Sequence, residues 1–172
     1  MLSRRNFLKN AGSTGALALL PAVSFAGRMV TGNDLPGNIN EEIISLDGDW
    51  LFRFDPDQQG ESRNWSDASA GNDGWETVTV PSTWQIDPKH TEYFGIAWYK
   101  KSFSVPRDWN DKTVRVEFEA VYHTAKVWLN GVPVGEHIRK GYTAFFIDLT
   151  KAIKINAVNT LVVMADNHFE DK

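Results

Sequence analysis

Alternation of apolar and polar side chains with a period of two dominates the chain after residue 42. In the clearest run, residues 113–120, every second residue is apolar, and Arg115, Glu117 and Glu119 occupy the positions between them. This period places successive side chains on opposite faces of a β-strand. The run therefore predicts a strand with one face in a core and the other in water, as in an antiparallel sheet.

Shorter runs of the same kind predict about eight strands between residues 42 and 165, and no run predicts a helix of ten residues. Asp47-Gly48 and Asn130-Gly131 are typical hairpin turns. Gly- and Pro-bearing connections are predicted at residues 55–74 and 81–96. Many short strands without long helices indicate an all-β fold, an antiparallel β-sandwich of the jelly-roll kind.

The first 26 residues differ from this pattern and predict a signal peptide. Residues 3–9, SRRNFLK, match the twin-arginine export motif, and a weakly apolar run at 11–23 follows that is too short for a stable membrane anchor. Ser24 and Ala26 supply the small residues that signal peptidase requires. The alternative is a soluble amphipathic helix. Export predicts a periplasmic or extracellular protein with no membrane contact after cleavage.

The remaining chain is predicted to form one domain behind a short lead-in. Residues 27–41 contain Gly, Asn and Pro with few apolar side chains, so they are interpreted as a linker or extended lead-in. Residues 42–172 are assigned to the β-sandwich. A chain of this length can bury a sizeable core.

Composition excludes several classes of protein. The 172 residues are too few for a β/α barrel, which needs roughly 200–250. The net charge of −4 gives no basic surface for nucleic acid. Cysteine is absent, which excludes disulfide scaffolds, zinc ribbons and thiol catalysis. The chain contains 7 Trp, a residue that builds sandwich cores and also stacks on sugars.

The sequence offers no catalytic constellation of its own. None of the four histidines lies two or four residues from another, so neither a metal site nor a cofactor is predicted. Glu117 and Glu119 would lie about 6.6 Å apart along one strand, a separation that glycosidase carboxylates use. Arg115 shares their face, however, and a solvated sheet face explains all three residues.

Seven motifs occur in order along the chain. They are Ser45-Leu46-Asp47-Gly48-Asp49-Trp50-Leu51-Phe52, Val80-Pro81-Ser82-Thr83-Trp84-Gln85, Gly95-Ile96-Ala97-Trp98-Tyr99-Lys100-Lys101-Ser102-Phe103, Ala125-Lys126-Val127-Trp128-Leu129-Asn130-Gly131, Val134-Gly135-Glu136-His137, Gly141-Tyr142-Thr143-Ala144-Phe145 with Asp148-Leu149-Thr150, and Asn159-Thr160-Leu161-Val162-Val163-Met164-Ala165-Asp166-Asn167. Together they resemble the N-terminal sugar-binding domain of glycoside hydrolase family 2, which includes β-galactosidases, β-glucuronidases and β-mannosidases. The resemblance covers residues 43–167.

The resemblance implies a jelly-roll domain that precedes an immunoglobulin-like sandwich and a β/α barrel. In the family, the barrel carries the two catalytic glutamates of a retaining mechanism. The chain is therefore expected to be the front part of an exported glycosidase and to lack turnover alone. The implied partners are a β-glycoside, the rest of the glycosidase chain and other copies of the full enzyme. The alternatives are a free-standing carbohydrate-binding module and a non-carbohydrate interaction domain.

Some family members lend polar side chains from this domain to the rim of the barrel's sugar site. These come from the loop before the Trp-Tyr strand and from the segment after the last strand. The corresponding candidates, which the alternative interpretation makes ordinary solvent-exposed loop residues, are His90, Glu92, Tyr93, Asp166, Asn167, His168, Glu170 and Asp171. Trp50, Trp98 and Trp128 are expected in the core rather than against a sugar.

Overall fold

A computed structural model describes residues 27–32 and 41–168, which form two antiparallel β-sheets. The four-stranded sheet has the order β2-β1-β6-β9, and the six-stranded sheet has the order β4-β3-β5-β10-β7-β8. The strands are β1 (Gly27–Gly32), β2 (Glu42–Ser45), β3 (Gly48–Asp55), β4 (Glu76–Val80), β5 (Ile96–Ser104), β6 (Thr113–Phe118), β7 (Thr124–Leu129), β8 (Val132–His137), β9 (Phe145–Asp148) and β10 (Val158–Asp166). The predicted all-β antiparallel sandwich is confirmed. Within the described residues no helix is long and apolar enough to cross a bilayer.

The main core lies between the two sheets and follows the predicted alternation. In β6, Val114, Val116 and Phe118 are buried, whereas Arg115 and Glu117 on the other face remain partly exposed. Because each strand turns one face inward, the apolar positions of both sheets meet in a single cluster that includes Trp50.

A second cluster covers the outer face of the six-stranded sheet. Trp98 and Trp128 stack there with ring centroids 5.2 Å apart, and Trp65 from the connection between β3 and β4 packs across Trp98. Val162 and Met164 of β10 belong to the same cluster. Strand β10 therefore has both faces covered, which explains its continuous apolar sequence. The expectation that Trp50, Trp98 and Trp128 are buried is confirmed.

The predicted lead-in is wrong for residues 27–32, which form strand β1 inside the four-stranded sheet. This strand pairs with β2 on one side and with β6 on the other. Met29 and Val30 are fully buried. Four side-chain-bearing residues between two glycines are too few to show a period, and their burial depends on strands that follow later in the chain. Residues 33–40 and the predicted signal peptide lie outside the described residues.

One of the two predicted hairpin turns is correct. Asn130 and Gly131 have φ angles of +54° and +82° and join the paired strands β7 and β8. Asp47-Gly48 instead carries the chain from β2 in one sheet to β3 in the other, so it makes no hairpin. The dipeptide fixes a local bend, and its Gly48 has a φ of +100°. Which strands then pair is decided by the core.

Candidate functional site

Two segments predicted to carry site residues meet at one end of the six-stranded sheet. Ile96 at the start of β5 pairs with Asp166 at the end of β10. Just beyond them, the Gly95 amide donates to Asn167 Oδ1 at 2.7 Å, and the Asn167 amide donates to the Gly95 carbonyl at 3.1 Å. We call the surface formed by residues 92–96 and 166–168 the rim.

Asp166 and His168 form the accessible polar pair of the rim. His168 donates its backbone N–H to Asp166 Oδ1 at 2.9 Å, and its Nδ1 lies 2.6 Å from the same oxygen. The Asp166 carbonyl also accepts a hydrogen bond from the His123 amide at 2.9 Å, which fixes the end of β10 against the loop between β6 and β7. Both side chains are partly exposed. Carboxylate and imidazole groups together can accept and donate hydrogen bonds, as sugar hydroxyls require.

Asn167 is a positioning residue of the rim. Its side chain is fully buried, and its Oδ1 holds the Gly95 amide. The Nδ2 group has no hydrogen-bond partner among the described residues. An unpaired buried donor costs free energy, and this cost falls at the junction of the two rim segments.

Tyr93 turns inward rather than toward solvent. Its ring packs on Phe54 with centroids 4.5 Å apart, and its hydroxyl donates to the Ile96 carbonyl at 2.7 Å. Burial, with smaller effects from the charges of Asp55 and Asp166, raises the pKa of Tyr93 to about 12. The neutral Tyr93 hydroxyl therefore donates a hydrogen bond that holds the loop before β5 in place. Glu92 beside it is exposed.

His90 lies on the flank of the sandwich, where it lines a groove. Its ring is 4.4 Å from that of Phe54, and the groove between β3, β4 and the connection that follows β4 has a volume of about 270 Å³. We call this cavity the flank groove. The candidates therefore divide into Glu92, Tyr93, Asp166, Asn167 and His168 at the rim and His90 on the flank, while Glu170 and Asp171 lie outside the described residues.

The flank groove was not predicted from the sequence. Its apolar wall contains Phe54 and Trp84, and its polar side chains include Glu76 and Ser82. In the sequence Trp84 belongs to one of the seven motifs, and no local pattern shows that the connection after β4 folds back along the sheet. A tryptophan inside a Gly- and Pro-bearing connection was the one available indication that this segment packs against something.

Glu117 of the four-stranded sheet is held in ion pairs with two arginines. Glu117 contacts Arg28 at 2.6 Å and Arg115 at 2.8 Å, and Arg115 also reaches Glu41 at 2.9 Å. Burial raises the pKa of Glu117, but the hydrogen bonds from Arg115 and Arg28 together lower it. A stabilised carboxylate of this kind is a poor general acid, so the interpretation as a structural sheet face is retained. No group of three metal-ligating side chains occurs in the part of the chain that the structure describes.

Comparisons with known proteins point to one family. The family model described as glycosyl hydrolases family 2, sugar binding domain, matches residues 43–171. A β-glucuronidase of Formosa agariphila is 31% identical over 139 residues, which cover 72% of this chain and 14% of that protein. A β-galactosidase of Bacteroides ovatus is 32% identical over 138 residues, which cover 73% of this chain and 15% of that protein.

A solved β-glucuronidase from Ruminococcus gnavus has the same fold over this region. The two superpose with a TM-score of 0.66 at 26% identity, across 83% of this chain and 22% of that one. The same enzyme has been solved in complex with D-glucuronic acid. The chain thus spans between about one seventh and one fifth of the length of these relatives.

Proposed function

The chain belongs to the sugar-binding domains of glycosyl hydrolase family 2, and from that premise we propose that it is the carbohydrate-binding front part of an exported β-glycosidase. The family match over residues 43–171 supports this assignment. So does the similarity to β-glucuronidases and β-galactosidases several times longer than this chain. The finer description of the sandwich as a jelly roll is part of the proposal.

The junction between Gly95 and Asn167 carries the proposal. These two residues join segments 72 positions apart in sequence, and they leave Asp166 and His168 on an accessible surface. In the proposed arrangement this surface borders a sugar site completed by a barrel. The rim accepts and donates hydrogen bonds to sugar hydroxyls, and bond cleavage belongs to two glutamates of the barrel.

The proposed ligand class is a β-linked hexose or hexuronic acid. Relatives named β-galactosidase and β-glucuronidase support this class. Export by the twin-arginine route, with residues 1–26 removed, completes the proposal. The secreted protein would then begin at Gly27, the first residue of β1.

An NMR titration of the full 172-residue chain tests the rim. Methyl β-D-galactopyranoside and methyl β-D-glucuronide are the probes, and backbone amides report the position of binding. We expect saturable shifts at Gly95, Asn167 and His168. Asp166→Ala should weaken binding there about tenfold, because a hydrogen bond to a charged group is lost.

Asp57→Ala is the matched control for this titration, because Asp57 is an exposed carboxylate on another loop. It should bind as the wild type does. Equal affinity of Asp166→Ala and wild type at the rim would contradict the proposed role of the rim.

A further inference from the structure

We propose that the flank groove is a second carbohydrate site, and that it takes a neutral pyranose ring. The inference rests on the proposed carbohydrate-binding role of the chain but not on the residues of the rim. The groove opens beside β4, which is the edge strand of the six-stranded sheet next to β3.

The wall of the groove is aromatic. The rings of Phe54 and Trp84 meet nearly at right angles, with centroids 6.1 Å apart and an interplanar angle of 82°. Phe52 and Tyr99 form the floor, where their rings lie 4.9 Å apart. Sugars present an apolar face of C–H groups, and Phe54, the half-buried ring beside the buried Trp84, Phe52 and Tyr99, is the part of this wall that such a face contacts.

Thr83 and Asp87 at the mouth of the groove accept hydrogen bonds from backbone amides, whereas four other polar side chains there are not engaged elsewhere. Glu76, Thr77, Ser82 and His90 line it, and the described residues give none of these side chains a hydrogen bond or an ion pair. The ring of His90 lies 4.4 Å from that of Phe54. These groups offer both donors and acceptors to hydroxyls that would approach over the aromatic wall.

In two other cavities in the described part of the chain, a charged lining residue is held in an ion pair. The cavity of about 320 Å³ near β9 is lined by Arg28 and Glu117, which are paired with each other. In the cavity of about 390 Å³ behind Trp109, Lys112 is paired with Glu42. The flank groove is the one of these three that has no lysine or arginine in its lining.

Size and charge restrict the ligand. A volume of about 270 Å³ lies just below the range of roughly 300–1,000 Å³ typical of small-molecule sites, which suits one sugar ring. The charged lining residues are Glu76 and Asp87, both acidic, without a lysine or arginine. Two carboxylates repel a uronate, so the groove should prefer a neutral sugar.

The same NMR titration of the full 172-residue chain separates the two sites. For the neutral galactoside we expect saturable shifts at Thr77, Ser82 and His90, and weaker binding there for the glucuronide. Glu76→Ala and Ser82→Ala should each weaken binding in the groove about tenfold through a lost hydrogen bond. Both residues lie at the surface, so the spectra of the variants should keep the dispersion of the folded chain.

Glu136→Ala is the matched control, because Glu136 is an exposed glutamate on the other edge strand, β8, of the same sheet. It should leave groove binding unchanged, as should Asp166→Ala at the rim. Groove shifts that persist unchanged in Glu76→Ala and Ser82→Ala, or tighter binding of the glucuronide, would overturn the inference. Shifts confined to the rim would overturn it while the proposed function stands, and the absence of shifts anywhere would overturn both.

Discussion

Asp55 is a buried carboxylate whose role is structural. It is 3% exposed and accepts three hydrogen bonds, from the amides of Gln59 and Gly60 at 2.8 Å and from Trp98 Nε1 at 2.9 Å. Gly60 sits directly against the indole of Trp98, where a Cβ atom would overlap the ring. This arrangement fixes the start of the long connection that covers the outer face of the sheet.

Replacing Asp55 should therefore destabilise the domain strongly. In Asp55→Ala, two backbone amides and one indole N–H lose their acceptor inside the protein, and we expect the free energy of unfolding to fall by about 3 kcal/mol. Urea denaturation measures the change. Asp57→Ala, two residues along on the exposed loop, should change it by less than about 0.5 kcal/mol. A similar loss in both variants would refute the structural role of Asp55.

Tyr93 makes the stability of the folded domain depend on pH in the alkaline range. Burial raises its pKa to about 12 in the folded chain, whereas an unfolded tyrosine titrates near 10. The folded state thus favours the neutral phenol, and this contribution to stability is complete below pH 10 and is lost as pH rises through 12. Tyr93→Phe should lose less stability between pH 9 and pH 11.5 than the wild type.

Denaturation at the two pH values provides the comparison, with Tyr142→Phe as its control. Tyr142 is 75% exposed, and its replacement should leave the wild-type decline in place. Tyr99, whose pKa burial also raises, keeps part of the decline in every variant. Parallel declines in the wild type and Tyr93→Phe would show that the Tyr93 hydroxyl is not buried as described.

Strand β1 is the element that distinguishes the structure most clearly from the sequence prediction. It lies in the middle of the four-stranded sheet, so β2 is joined to β6 only through it. Strands with a long alternating run, such as β6, could be predicted because their own apolar and polar residues indicate which face is buried and which is exposed. The partners of β1 lie far along the chain, and its local sequence contains no equivalent information.

Truncating a core side chain of β1 measures how much the sheet depends on it. Met29 is fully buried, and Met29→Ala should lower the free energy of unfolding by about 3 kcal/mol through lost burial and a residual cavity. Ile43→Ala in neighbouring β2 is the control, because Ile43 is 52% exposed. Thermal or urea denaturation distinguishes the two. A wild-type stability for Met29→Ala would restore the interpretation of residues 27–32 as a lead-in.

At the scale of the whole molecule, the sequence predicted the class of fold, and the ordered motifs predicted the family. The rim could be predicted in outline, because the resemblance indicated which two loops meet. The inward turn of Tyr93 and the position of His90 on the flank could not, since both follow from packing against Phe54, which is distant in sequence. The flank groove depends on the path of a whole connection, which no local pattern encodes.

The central claim, that this chain is the front part of a β-glycosidase, is tested most directly by the coding sequence after codon 172. We predict an open frame that continues into a second sandwich and a β/α barrel with two glutamates suited to a retaining mechanism. A stop codon followed by unrelated sequence would contradict the claim and favour a carbohydrate-binding module that acts alone.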